Sequence, residues 1–347
     1  MIRILAGAIE KLKICALITG CAGTSLTPDE IQLFSKSNPW GFILFKRNCE
    51  SPEQIKSLIA SFRAAVGRHD APVFVDQEGG RVQRLAPPVW RKYPEARKFG
   101  NLYQINPALA LRTARNAGRL MAQELYDLGF TSSCLPVLDV PQLGTHDVIG
   151  NRAYDNRPER VMALARSHVA GLMEGGILPV MKHIPGHGRA MVDSHLELPV
   201  VSASRLELET LDFVPFTGFA DCPMAMTAHV VFQAIDPELP ATLSRKVVRH
   251  AIRRVIGFSG LLLTDDLSMK ALRGTLAEKA QMAYDAGCDI LLHCNGQIDE
   301  MREVAEHAQP LSVKAARRAK SALKMRRKPL PFDEKQALSD VEAVMQA

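Results

Sequence analysis

Residues 177–184 read ILPVMKHI. Four apolar side chains and a proline run unbroken into Lys182 and His183, and Ile184 follows. A near-continuous apolar run of this length fits a strand buried on both faces of a parallel sheet, with its ionisable residues at the carboxyl end. Seven other runs have the same character: ICALITG (14–20), GFILF (41–45), APVFVDQEG (71–79), SSCLPVLDV (132–140), MAMTAHVVF (224–232), GLLLTDD (260–266) and CDILLHCN (288–295).

Helical patterns separate them. LTPDEIQLF opens with Thr27 as N-cap, Pro28 at the first position and Glu30 three residues on. SPEQIKSLIASFRAAVG repeats the device with Ser51, Pro52 and Glu53 and stops at Gly67. PALALRTARNAGRLMAQELYDLG, RPERVMALARSHVAGLMEGG and SRKVVRHAIRRVIGFSG also carry a helical period and close at glycine. A last helix is expected over about 298–324. Eight strands alternating with helices predict a single (β/α)8 barrel over residues 1–347, with a short N-terminal arm and a C-terminal helical tail. The competitor is a doubly wound open sheet, but GCAGT after the first run is not GxGxxG.

Composition narrows the class. The 347 residues are 47% hydrophobic and 23% charged, an ordinary globular balance. No stretch nears the ~20 apolar residues of a membrane span. Glu10, Lys11 and Lys13 interrupt the apolar start, which reads as an arm and not a signal peptide. Seven cysteines, with no CxxC, predict free buried thiols and a cytoplasmic location. The net charge of +6 owes much to VKAARRAKSALKMRRKP, which reads as the solvated face of a final helix. No aromatics interleave with it, so no nucleic-acid partner is expected.

In a barrel, catalytic groups sit at the carboxyl ends of strands. Those ends carry Asp76, Asp139, Lys182, His183, His229, Asp265, Asp266 and Asn295, with Arg81, Arg84 and Arg152 in the loops beyond. One polar site rich in carboxylates, histidine, lysine and arginine is the expectation. KHIPGHGRAMVDSH (182–195) raises the question of a metal. His183 and His187 have the i, i+4 spacing of two ligands, but Pro185 and Gly186 break any helix between them, and Lys182 opposes a cation. A metal-dependent barrel hydrolase using His183, His187 and Asp193 is the alternative reading. The bland reading makes His187 a structural histidine holding the Pro-Gly turn.

VDQEGGRVQRL (75–85), IGNRAY (149–154), KHIPGHG with its DSH (182–195), MTAHVVF (226–232), PATLS (240–244) and LLLTDDLSM (261–269) occur in the order of the family 3 glycoside hydrolases. The sequence resembles that family over about residues 15–325, most closely the bacterial cytoplasmic β-N-acetylglucosaminidases of peptidoglycan recycling. The resemblance implies a retaining exo-β-N-acetylglucosaminidase that needs no cofactor or metal and releases GlcNAc from muropeptides such as GlcNAc-1,6-anhydroMurNAc. It implies Asp265, in preference to Asp266, as nucleophile. It makes His195 the acid/base, with Asp193 as its partner. Asp76, Arg84, Arg152, Lys182 and His183 fall on its sugar-binding positions. The partner is then a small sugar substrate, and a monomer is expected.

Residue chemistry agrees with this. A retaining glycosidase needs an ionised carboxylate and a second group that donates and then accepts a proton. Lys182 and Arg152 favour the first, and histidine titrates in the range that suits the second. Asp139 reads as pocket structure orienting Arg152, and His229 as pocket structure too. Two departures stand out: Ile184 replaces a phenylalanine, and Asp155 replaces a glycine in a way expected to shift the loop carrying Arg152. Many members carry a second, sandwich domain. Without one, barrel loops complete the site, with GHGRAMVDSH as the mobile piece and Gly186 and Gly188 as its hinges. A sugar-binding barrel that has lost catalysis is the third reading.

Overall fold

A computed structural model describes residues 13–346 apart from Leu143, Thr145, His146 and His195. The expected N-terminal arm therefore lies mostly outside the described residues. The eight runs form a closed parallel barrel: β1 (Cys15–Thr19), β2 (Pro39–Leu44), β3 (Val73–Val75), β4 (Ser132–Ser133), β5 (Leu178–Ile184), β6 (Met224–Thr227), β7 (Leu261–Asp266) and β8 (Ile290–His293). Each strand pairs with its sequence neighbours, and β8 closes on β1, with Leu17 beside Leu291. The doubly wound sheet is thereby excluded.

Side-chain parity divides the strands into two packing layers, because successive residues of a strand point to opposite faces. Ala16 and Ile18, Leu178 and Val180, Met224 and Met226, Leu261 and Leu263, and Ile290 and Leu292 pack together inside the barrel. Their neighbours Leu17, Met181, Ala225, Leu262 and Leu291 face outward into the larger core under the helices.

The helices start as their caps dictate. Thr27 accepts the Glu30 N–H and Glu30 accepts the Thr27 N–H, closing the box that starts Pro28–Ser37. The other Glu30 oxygen takes the Ala22 N–H at 2.8 Å, which pins the loop after β1. Asn106 and Gly129 bound the helix Pro107–Leu128. It packs tightly on Pro158–Glu174, for a Cβ on Gly171 would meet the Arg115 carbonyl at 1.9 Å.

Three elements differ from expectation. SSCLPVLDV is strand only at Ser132–Ser133, because Pro136 has no N–H for the ladder. The segment still runs beside β5 through Leu138 N–H to Lys182 O at 2.8 Å. SRKVVRHAIRRVIG winds as a π-helix over Val247–Val255. The last expected helix is two, Ile298–His307 and Val313–Lys324, with Pro310 between them. A further helix, Glu334–Gln346, packs on Pro107–Leu128. All seven cysteines are free, and six are buried. No helix among the described residues is long and apolar enough to cross a membrane.

Candidate active site

Parity also builds the site. One step beyond the inward pairs at the carboxyl end come Asp76 after β3, Lys182 on β5, Asp265 on β7 and Cys294 after β8. All four line one cavity of about 290 Å³. Arg84, Arg152, His183, His187, Ser194 and Asp266 share its wall.

Lys182 Nζ lies 2.9 Å from Asp76 Oδ1 and 2.6 Å from Glu78 Oε1. Arg84 holds the other Asp76 oxygen at 2.9 Å. Arg152 grips Glu78 with two parallel bonds, Nε to Oε2 at 2.9 Å and Nη2 to Oε1 at 2.8 Å. Burial alone would raise both carboxyls, but Lys182 and Arg84 hold Asp76 well below its ordinary value. Arg152 and Lys182 bring Glu78 down to about 2. Burial works against the Lys182 charge, and the two carboxylates outweigh it and raise its pKa. The two anions thus hold three cations at the cavity wall, with polar hydrogens available to hydroxyl groups of a ligand.

His183 is fixed by Asp139, whose Oδ2 accepts from Nδ1 at 2.7 Å. The other Asp139 oxygen accepts the His187 N–H at 2.7 Å, which sets the Pro-Gly turn. His187 Nε2 meets Ser194 Oγ at 3.1 Å. Burial, then the neighbouring His183, pushes His187 down to about 4, so it is neutral at physiological pH. The two rings lie edge to face, with centroids 5.5 Å apart. Among the described residues, no three His, Cys, Asp or Glu side chains form a group that could hold a metal ion.

Asp265 and Asp266 share a strand end and differ in task. Asp266 caps its own turn, accepting Ser268 N–H at 3.0 Å, Ser268 Oγ–H at 2.7 Å and the Cys294 N–H at 3.2 Å. Asp265 accepts the Asp266 N–H at 2.8 Å. Burial raises the Asp265 carboxyl, but His229 and His183 when protonated, the Asp266 N–H and Lys182 leave it below the ordinary value. It stays ionised at neutral pH.

The sequence profile of the glycosyl hydrolase family 3 N-terminal domain matches residues 17–327. The chain belongs to glycosyl hydrolase family 3. A beta-hexosaminidase of Alkalilimnicola ehrlichii is 40% identical over 314 residues, which cover 85% of this chain and 89% of that one. NagZ from Neisseria gonorrhoeae, solved with N-trifluoroacetyl-D-glucosamine, superposes with a TM-score of 0.83 at 34% identity, covering 97% of this chain and 95% of that one. NagZ of the same organism solved with a zinc ion superposes with a TM-score of 0.81 at 32% identity, covering 96% of each chain. As a family 3 member, the chain is a glycoside hydrolase.

In this family 3 barrel, Asp76, Arg84, Arg152, Lys182, His183 and Asp265 come together from five separate stretches of chain. Asp193 sits outside the cavity wall, half-buried, with its carbonyl accepting the Leu196 and Glu197 N–H groups. His195 lies outside the described residues. Asp139 corrects one expectation, since it orients His183 and not Arg152. Glu78 holds Arg152 instead, and the sequence reading missed it. Alternation along DQE (76–78) was the available signal, because two residues apart in extended chain share a face. Asp155 closes the turn after Arg152, accepting the Asn156 and Arg157 N–H groups at 2.8 and 3.0 Å.

Proposed function

We propose that the protein is a retaining exo-β-N-acetylglucosaminidase, active as a cytoplasmic monomer on GlcNAc-bearing peptidoglycan fragments such as GlcNAc-1,6-anhydroMurNAc. The observation that carries the reading is Asp265, an ionised carboxylate in the wall of a small cavity that it shares with a cluster of cations. A cavity of about 290 Å³ suits one terminal sugar and not a chain, at the small end of ligand pockets. The similarity to a beta-hexosaminidase and to NagZ supports the β-hexosaminidase class.

Asp265 attacks the anomeric carbon as the bond to the aglycone oxygen breaks. That oxygen takes its proton from the His195 imidazolium. In the second half, neutral His195 takes a proton from water, the water oxygen bonds to the anomeric carbon, and Asp265 leaves as carboxylate. Asp193 is the partner that orients the His195 ring. Asp76, Arg84, Arg152, Lys182 and His183 hold the hydroxyls and acetamido group of the sugar.

The test is nitrophenolate release from p-nitrophenyl β-N-acetylglucosaminide, with and without excess EDTA. EDTA-resistant release is expected, with retained configuration in the first-formed product by NMR. Asp265→Ala is expected to lose at least ~10³-fold in turnover, and His195→Ala ~10²–10⁴-fold with affinity kept. Release abolished by EDTA and restored by zinc would favour instead the metal site of His183, His187 and Asp193. The zinc-bound relative keeps that arm of the test necessary.

A further inference from the structure

Behind Asp265 lies a chain of polar groups that never touches the cavity. Thr227 ends β6, and His229 and Thr242 follow it; all three are fully buried. The Asp265 N–H points to Thr227 Oγ1 at 3.3 Å. Thr227 Oγ1 lies 2.7 Å from Thr242 Oγ1, which lies 2.7 Å from His229 Nδ1. His229 Nε2 lies 2.9 Å from the Asp266 carbonyl oxygen.

Donor counting gives the chain one direction. A carbonyl oxygen only accepts, so His229 Nε2 carries the proton. Burial lowers the His229 pKa, so the ring is neutral and Nδ1 accepts. Thr242 has one hydroxyl hydrogen and must give it to His229, although the Ala228 carbonyl is also near, at 3.1 Å. Thr227 must then donate to Thr242, which leaves its lone pairs to the Asp265 N–H. The tautomer and hydroxyl rotors follow from this network. Both ends of the relay hold backbone of the Asp265–Asp266 pair, and the Asp266 N–H in turn binds Asp265 Oδ1 at 2.8 Å.

We propose that Thr227, Thr242 and His229 are positioning residues, a one-way hydrogen-bond relay that clamps the backbone on both sides of Asp265 and aims its carboxylate into the cavity. The proposal rests on Asp265 being the nucleophile. None of the three lines the cavity, so each acts through Asp265. A misplacement of about 1 Å in a reacting group can cost ~10²-fold in rate, so a buried relay with no ligand contact still controls turnover.

The test uses Thr242→Val, which keeps shape and removes the hydroxyl, and Thr242→Ser, which restores it. Asp265→Ala is the reference. With p-nitrophenyl β-N-acetylglucosaminide, Thr242→Val is expected to lower kcat by ~10–100-fold while KM and inhibition by GlcNAc stay within ~3-fold. Thr242→Ser should recover most of the rate. A weakened Asp266 N–H···Oδ1 bond also raises the Asp265 pKa, so the acid limb of kcat/KM should move to higher pH. The other titratable groups facing that carboxylate are His183 and Lys182 of β5, His187 beyond it, and the Cys134 and Cys294 thiols; all remain in the variant. A kcat within ~3-fold of wild type overturns the relay. So does a joint loss of kcat and GlcNAc binding with an unmoved acid limb, the mark of simple misfolding. If Asp265→Ala keeps wild-type turnover, the nucleophile assignment falls and the relay with it. If Asp265→Ala is inactive and Thr242→Val is not, the relay falls alone. Should Thr242→Val not fold, Thr227→Ala reads the same link from the Asp265 end, with the same expected split.

Discussion

Glu78 is the residue on which the cationic wall depends. It meets Arg152 twice and Lys182 once, at 4% side-chain exposure. Removing one partner of a buried ion pair leaves its counter-charge uncompensated, at a cost of ~3–5 kcal/mol when burial is complete. Glu78→Gln is therefore expected to raise KM about tenfold or more, lower kcat less, and weaken inhibition by GlcNAc in parallel. An unchanged KM would remove Glu78 from the binding wall. Much of the wall was legible in the sequence, since ionisable residues at strand ends must converge once the barrel closes. The pairing was not. Arg152 and Glu78 are distant in sequence, and nothing local distinguishes Glu78 from Asp139 as its partner. Parity was legible but unused: along LLLTDD, Leu261, Leu263 and Asp265 share a face, which separates Asp265 from Asp266 without any relative.

At the scale of elements, the helices Pro107–Leu128 and Pro158–Glu174 approach through glycine. A Cβ on Gly118 would lie 2.2 Å from the His168 carbonyl, and one on Gly171 1.9 Å from that of Arg115. Neither backbone carbonyl can step aside alone, so Gly171→Ala must part the helices. A loss of roughly 2–4 kcal/mol in stability is expected, with kcat preserved in the folded fraction. Thermal unfolding checks it, and an unchanged melting temperature would show that the helices separate freely. The strands were legible because parallel strands buried on both faces read as unbroken apolar runs. The breaks were harder. Pro136 shortens β4 by withholding one N–H, and the π-wound segment Val247–Val255 keeps the amphipathic pattern that also predicts an ordinary helix.

Across the whole molecule, buried histidines set the response to acid. Burial pushes His168, bonded to the Tyr154 hydroxyl at 3.0 Å, down to about 4 from an unfolded value of 6.5. His187 behaves alike. Between those values the unfolded chain binds protons that the folded one refuses, so stability falls as pH drops from about 6.5 toward 4. Asp212 opposes this. Burial raises its carboxyl to about 6, despite Arg189 at 2.8 Å, so it favours folding as pH falls through that value. His168→Gln keeps a partner for Tyr154 and removes one titration. By pH 5 it should have lost on the order of 2 kcal/mol less than wild type, measured by denaturant melts from pH 7 to 5. Equal slopes for the two proteins would mean that His168 takes up its proton alike in the folded and unfolded chain.

The seam between β1 and β8 carries a further consequence. Leu17 waits beside an empty edge until Leu291 has been synthesised and has found it. Until β8 pairs with β1, any sheet built from the earlier strands has bare backbone donors and acceptors at both rims. Such edges recruit other strands. The ring therefore covers its own edges only once β8 is in place, the same event that gives Asp265 on β7 a cavity to face.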